Sequence, residues 1–141
     1  MIYSPCRECL YSRCILALAQ TNTIVHMPVL ATQSHNLKTY LASLIHKDGA
    51  DPKTATYFVG RRFNRGGGGG RPDYFNSGGP GYALSQATLR AYLENMDDTK
   101  HCAAADRTSM EDVMIARCLS HLGISFTDTR DSQGRERFHP L

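Results

Sequence analysis

At 141 residues the chain has room for one hydrophobic core and is short for two. Its apolar share of 41%, charged share of 21% and net charge of +3 are those of an ordinary globular protein, and they give no electrostatic argument for a nucleic-acid partner. Membrane spanning is excluded within the chain because no run of about 18 apolar residues occurs: Gln20, Asn22, His26 and Pro28 interrupt the most apolar stretch. No signal peptide is evident either.

Residues 1–34 show no clean hydrophobic period and are read as a segment apart from 35–141. Within them "CRECLYSRC" has Cys-x-x-Cys spacing at Cys6 and Cys9, with Cys14 beyond, but no second such pair or spaced His pair completes a zinc site. From Asn36 the pattern sharpens, and Leu37, Tyr40, Leu41, Leu44 and Ile45 share one face of a helix that Asp48 and Gly49 stop. "TATYFVGRR" reads as a strand through its β-branched and aromatic residues. The following "NRGGGGGRP" is a glycine loop with basic ends, too short to make Arg62 and Arg65 an RNA-binding element. Structure resumes at "GYALS", where Ser85 suits the N-cap of a helix with Leu89, Tyr92, Leu93 and Met96 as its apolar stripe. A third helix follows Ser109, which with Asp112 has the spacing of a capping box. Ile115, Leu119 and Leu122 share its inner face, Gly123 stands where a C′ residue belongs, and "ISFT" is a short strand. Helix, strand, glycine loop, two helices and strand make an α/β layer structure.

Three features can carry chemistry. Tyr74–Ser85, "YFNSGGPGYALS", offers bare backbone ahead of a helix, which serves equally as a turn or as a floor against which a phosphate or sugar lies. Glu111 and Asp112 suit the positive end of a helix dipole, and a carboxylate there also suits a general base. His139, held extended by Pro140, is either a surface residue or one metal ligand. Cys102 and Cys118 bracket a helix start and can close a disulfide, leaving an odd number of thiols.

Taken in order, "YFVGRRF", "YFNSGGPGYALSQATLRAYL", "SMEDVMIARCL" and "DTRDSQGRERFHP" resemble the inverting β-1,3-glycosyltransferases related to Fringe, and within them the core 1 galactosyltransferase branch. The resemblance runs from about Asn36 to Pro140. It implies the C-terminal part of a GT-A, Rossmann-like domain that transfers galactose from UDP-galactose to N-acetylgalactosamine on Ser or Thr of a glycoprotein acceptor, with Mn²⁺ on the diphosphate. By family pattern Asp112 is the base and His139 a metal ligand, while Gly78, Gly79, Tyr82 and Glu111 bind substrate. Cys102 and Cys118 match a disulfide of the family, and the setting implied is the Golgi lumen behind an N-terminal membrane anchor, with a homodimer allowed and no nucleic acid. The family's Asp-x-Asp metal motif, placed roughly ten residues before the Asn36 helix, is not found in this sequence. That departure leads to the expectation of a fragment inactive alone, with a non-catalytic, chaperone-like homologue as the alternative.

Overall fold

The computed structural model describes residues 14–18, 23–27, 31–49, 51–66, 73–102 and 110–139. At its centre is strand β6 (Tyr82–Ser85), whose four residues are all buried. Apolar runs that carry no alternation are strands only if something pairs with them, and β6 pairs on both sides. β1 (Cys14–Leu18), β2 (Thr23–Met27), β6 and β3 (Phe58–Gly60) form one sheet in the order β1-β2-β6-β3, every ladder antiparallel. β4 (Arg62–Asn64) and β5 (Tyr74–Asn76) form a separate antiparallel pair.

The register sorts the core. Val59 lies opposite Ala83, and both face α1 (Ala31–Asp48), where they meet Leu37, Leu41 and Phe138. Phe58 opposite Leu84, with Tyr82, faces the other way onto Ala116 and Leu119 of α3 (Glu111–His121) and onto Ile124. A sheet covered on both faces has no solvent-facing row, which is why β3 and β6 are buried throughout. The chain is thus mixed α and β, as its sequence predicts, and its described pairings are antiparallel.

Several expectations are corrected in detail. Both strands β1 and β2 and the start of α1, at Ala31 rather than Asn36, fall where no period is legible: β1 is defined by its pairing with β2, and β2 by its further pairing with the distant β6. "TATYFVGRR" divides into β3 and β4 rather than running on. The division follows Gly60, where an added Cβ would sit 2.9 Å from the Tyr82 Cβ and 3.0 Å from the Asn76 Cβ. "ISFT" is not a strand. It runs beside β3 and satisfies its edge mainly through hydroxyls: Thr127 Oγ1 accepts from Phe58 N at 3.2 Å, and Thr129 Oγ1 donates to Gly60 O at 3.1 Å. One backbone bond, Thr127 N to Phe58 O at 2.9 Å, accompanies them. α2 (Gln86–Asn95) turns Leu89 and Tyr92 inward, but Leu93 and Met96 are 53% and 42% exposed, so half of the expected stripe is outside.

Helix ends follow local chemistry. Ser85 caps α2 by accepting from Thr88 N at 3.2 Å. α3 starts from Met110 with no side-chain cap; Ser109 lies outside the described residues, and Asp112 bonds instead to the loop before β6. At its other end Gly123, with φ +75°, donates to Ser120 O, and Ile124 N donates to Leu119 O, the paired bonds of a Schellman motif. Two ties hold α3 in place. Cys118 is disulfide-bonded to Cys102, 16 residues away, a closure worth about 3 kcal/mol for a loop of that size. Arg117 reaches across to Asp73, just before β5, with Nη2 at 2.9 Å from Oδ2 and Nε at 3.3 Å from Oδ1.

Gly60→Ala should lower stability by about 1–3 kcal/mol, because backbone-borne Cβ atoms on two strands must move; unchanged thermal unfolding would show that β3 is not packed as described. The Arg117 guanidinium, helped by Arg65, holds the Asp73 carboxyl below its ordinary 3.8. A depressed folded value means that the pair's contribution is complete above that ordinary value and is lost as pH falls through the lowered one. Arg117→Ala should therefore reduce Tm near neutral pH, and the gap from wild type should narrow on acidification below 3.8. A gap independent of pH would refute the ion pair.

Candidate functional site

The glycine loop between β5 and β6 contains two different kinds of glycine. Gly81 has φ +81° and donates to Gly78 O at 3.2 Å, so it makes the turn. Gly79 is different. It is exposed and lacks a positive φ, and a Cβ there would meet only Ser77 Oγ, at an ordinary 3.6 Å. Folding therefore places no evident demand for glycine at position 79, and its bare backbone is open to whatever approaches from outside.

Asp112 joins this loop to α3. Its Oδ2 accepts from Gly78 N at 2.8 Å and its Oδ1 from its own neighbour Val113 N at 2.9 Å. The carboxylate is half-buried, and each oxygen keeps a further lone-pair direction for a hydroxyl proton. The structure thus brings together Gly78 and Asp112, which stand 34 residues apart. Glu111, next to it, is exposed at the helix start. Tyr82 is 3% exposed and sets its ring edge-on to Phe58, centroids 5.9 Å apart. It belongs to the core behind the loop, not to the loop's open side. Asn76, which opens the loop, was not singled out by the sequence: it is 1% exposed, donates to Phe58 O at 3.3 Å and keeps Oδ1 buried without a hydrogen-bond partner among the described residues. No periodicity or motif marks such a residue.

His139 lines a cleft of about 990 Å³ between α1 and the C-terminal segment. Phe138 points inward, 6% exposed and edge-on to Tyr40, so the next side chain in the extended segment points out. Pro80 also lines this cleft, so the glycine loop borders it on one side and holds Asp112 through Gly78 on the other. Three carboxylates, Asp128, Asp131 and Glu136, share the cleft with His139, and arginines engage the first two. The Arg130 guanidinium, at 2.6 Å, holds Asp128 well below the usual carboxylate range, and Asp131 is held down at about 2 by the backbone N–H and the guanidinium of Arg135. Among the described residues no set of three metal-donor side chains gathers around His139. His139 is thus not part of a ready-made donor set among the described residues, and Mn²⁺ prefers several oxygen donors.

The disulfide between Cys102 and Cys118 is present; Cys6 and Cys9 lie outside the described residues. No described helix is long and apolar enough to cross a membrane.

No protein-family model matches the chain. It is 38% identical over 67 residues to glycoprotein-N-acetylgalactosamine 3-beta-galactosyltransferase 1 of Xenopus laevis, a match that covers 48% of this chain and 18% of that relative. The chain thus spans less than a fifth of the relative's length in this match, and it carries a segment related to a galactosyltransferase.

Proposed function

We propose that the chain forms the acceptor side of an inverting galactosyltransferase of the GT-A type in the Golgi lumen. The reaction proposed moves galactose from UDP-galactose to the 3-hydroxyl of N-acetylgalactosamine carried on Ser or Thr of a glycoprotein. The observation that carries this reading is the bond from Gly78 N to Asp112 Oδ2, which aims a carboxylate at a loop whose Gly79 backbone is open. The local likeness to a galactosyltransferase supports the same chemistry.

In this proposal Asp112 is the general base. It takes the proton of the acceptor hydroxyl as that oxygen forms its bond to the anomeric carbon, and the bond to UDP breaks on the opposite face with its electron pair leaving on the nucleotide. One base suffices, because a single displacement inverts the centre without a covalent intermediate. The Gly78 N–H fixes the carboxylate's orientation, and Gly79 supplies the floor on which the sugar rests. Glu111 stands beside the base as an acceptor contact. His139 offers one donor toward Mn²⁺, and among the described residues no two further donor side chains stand close enough to complete a set with it.

The absence of any Asp-x-Asp from the sequence favours a second reading, a non-catalytic homologue that binds a glycoprotein or a transferase. In a full-length enzyme carrying this segment, Asp112→Asn should lower turnover by about 10²–10⁴-fold, the usual worth of a general base, with donor affinity unchanged. Wild-type turnover in that variant would remove Asp112 from the reaction. Gly79→Ala should leave thermal unfolding unchanged and yet weaken binding of an N-acetylgalactosamine-bearing glycopeptide to this chain. Equal binding would deny the floor; glycopeptide binding by a full-length protein that performs no transfer would favour the second reading.

A further inference from the structure

Away from the glycine loop and the His139 cleft, two histidines meet at the far end of α3. The rings of His101 and His121 lie 3.5 Å apart between centroids and within 5° of parallel. Asp98 reaches the first of them, its Oδ2 standing 2.9 Å from His101 Nδ1. Nothing in the proposed transfer uses these groups.

We propose that Asp98, His101 and His121 form a binding site for a divalent transition ion of the zinc class. One donor atom from each residue falls within 4.8 Å of the others. Metal–donor bonds of about 2.0–2.1 Å bring neighbouring donors to roughly 3 Å from one another, and the Asp98–His101 pair already stands at 2.9 Å. Two imidazoles and a carboxylate select zinc, copper or nickel over magnesium or calcium, which prefer oxygen alone. Parallel rings direct their nitrogen lone pairs side by side, so a shared ion requires His121 to tilt out of the stack. Its exposed position at the end of the helix leaves room for that movement.

The scaffold brings the donors together before any ion arrives. Cys102 N donates to Asp98 O at 2.9 Å, closing a turn in which Asp98 Oδ1 also accepts from Lys100 N at 2.9 Å and from His101 N at 3.3 Å. The disulfide then fastens Cys102, next to His101, to Cys118, one helical turn before His121 on the same side of α3. Much of the ordering entropy of a metal site is therefore already lost on folding.

The test is a Co²⁺ and Zn²⁺ titration of the oxidised chain with its free thiols alkylated, so that Cys6, Cys9 and Cys14 do not compete. Ligand-field absorption follows Co²⁺, and thermal unfolding reports stabilisation by Zn²⁺. One saturable equivalent is expected, together with a rise in Tm that chelator reverses. His121→Ala and Asp98→Asn should each weaken binding by about tenfold or more, while His46→Ala, on exposed α1 surface, leaves it intact. Absence of saturable binding, wild-type affinity in His121→Ala, or an equal loss in His46→Ala overturns the site.

Discussion

The hydroxyl of Ser85 is the point on which the middle of the structure turns. It donates to Ala55 O at 2.8 Å and accepts from Tyr57 N at 3.0 Å and from Thr88 N at 3.2 Å, while the Thr88 hydroxyl lies 2.9 Å from it and donates on to Tyr57 O. Ser85 and Thr88 are almost wholly buried, so their hydroxyls would be unpaired polar atoms without these partners. Through this one side chain the end of β6, the start of α2 and the segment entering β3 are fixed together. Because β6 lies between β2 and β3, fixing its end fixes where both neighbours run.

From that frame the glycine loop receives its shape. Its two ends are β5, tied to α3 through Asp73 and Arg117, and β6, held at Ser85. α3 in turn is clamped by the disulfide and closed by its Gly123 cap. Asp112, at the first turn of that helix, thus meets Gly78 as a consequence of packing among three elements. A carboxylate that must stay oriented benefits from such rigid support, since small misplacements are expensive for proton transfer.

The two clusters of charged and titratable groups also differ in kind. Around His139 acids and arginines neutralise one another in short, exposed pairs, which in water contribute little to stability. Near His101 and His121 the histidines are instead gathered by a turn, a disulfide and the end of a helix. That contrast makes the second place the stronger candidate for an ion among the described residues.

By itself the sequence determined what rests on neighbours along the chain: the apolar face of α1, the serine cap of α2, the glycine that ends α3 and the mixed α/β class. The motif order also pointed to the loop, to Asp112 and to the Cys102–Cys118 bridge. Only the tertiary structure decided that two apolar runs before residue 28 are strands, that the Phe58 strand breaks after Gly60, and that Thr127 and Thr129 serve a sheet edge by their hydroxyls. It also decided that Tyr82 faces the core while Gly79 faces outward, and that His139 shares a cleft with Pro80 of the glycine loop. Apart from the local β1–β2 hairpin, each of these depends on contacts between residues tens of positions apart, and a local period or cap carries no information about which distant surface a side chain will meet.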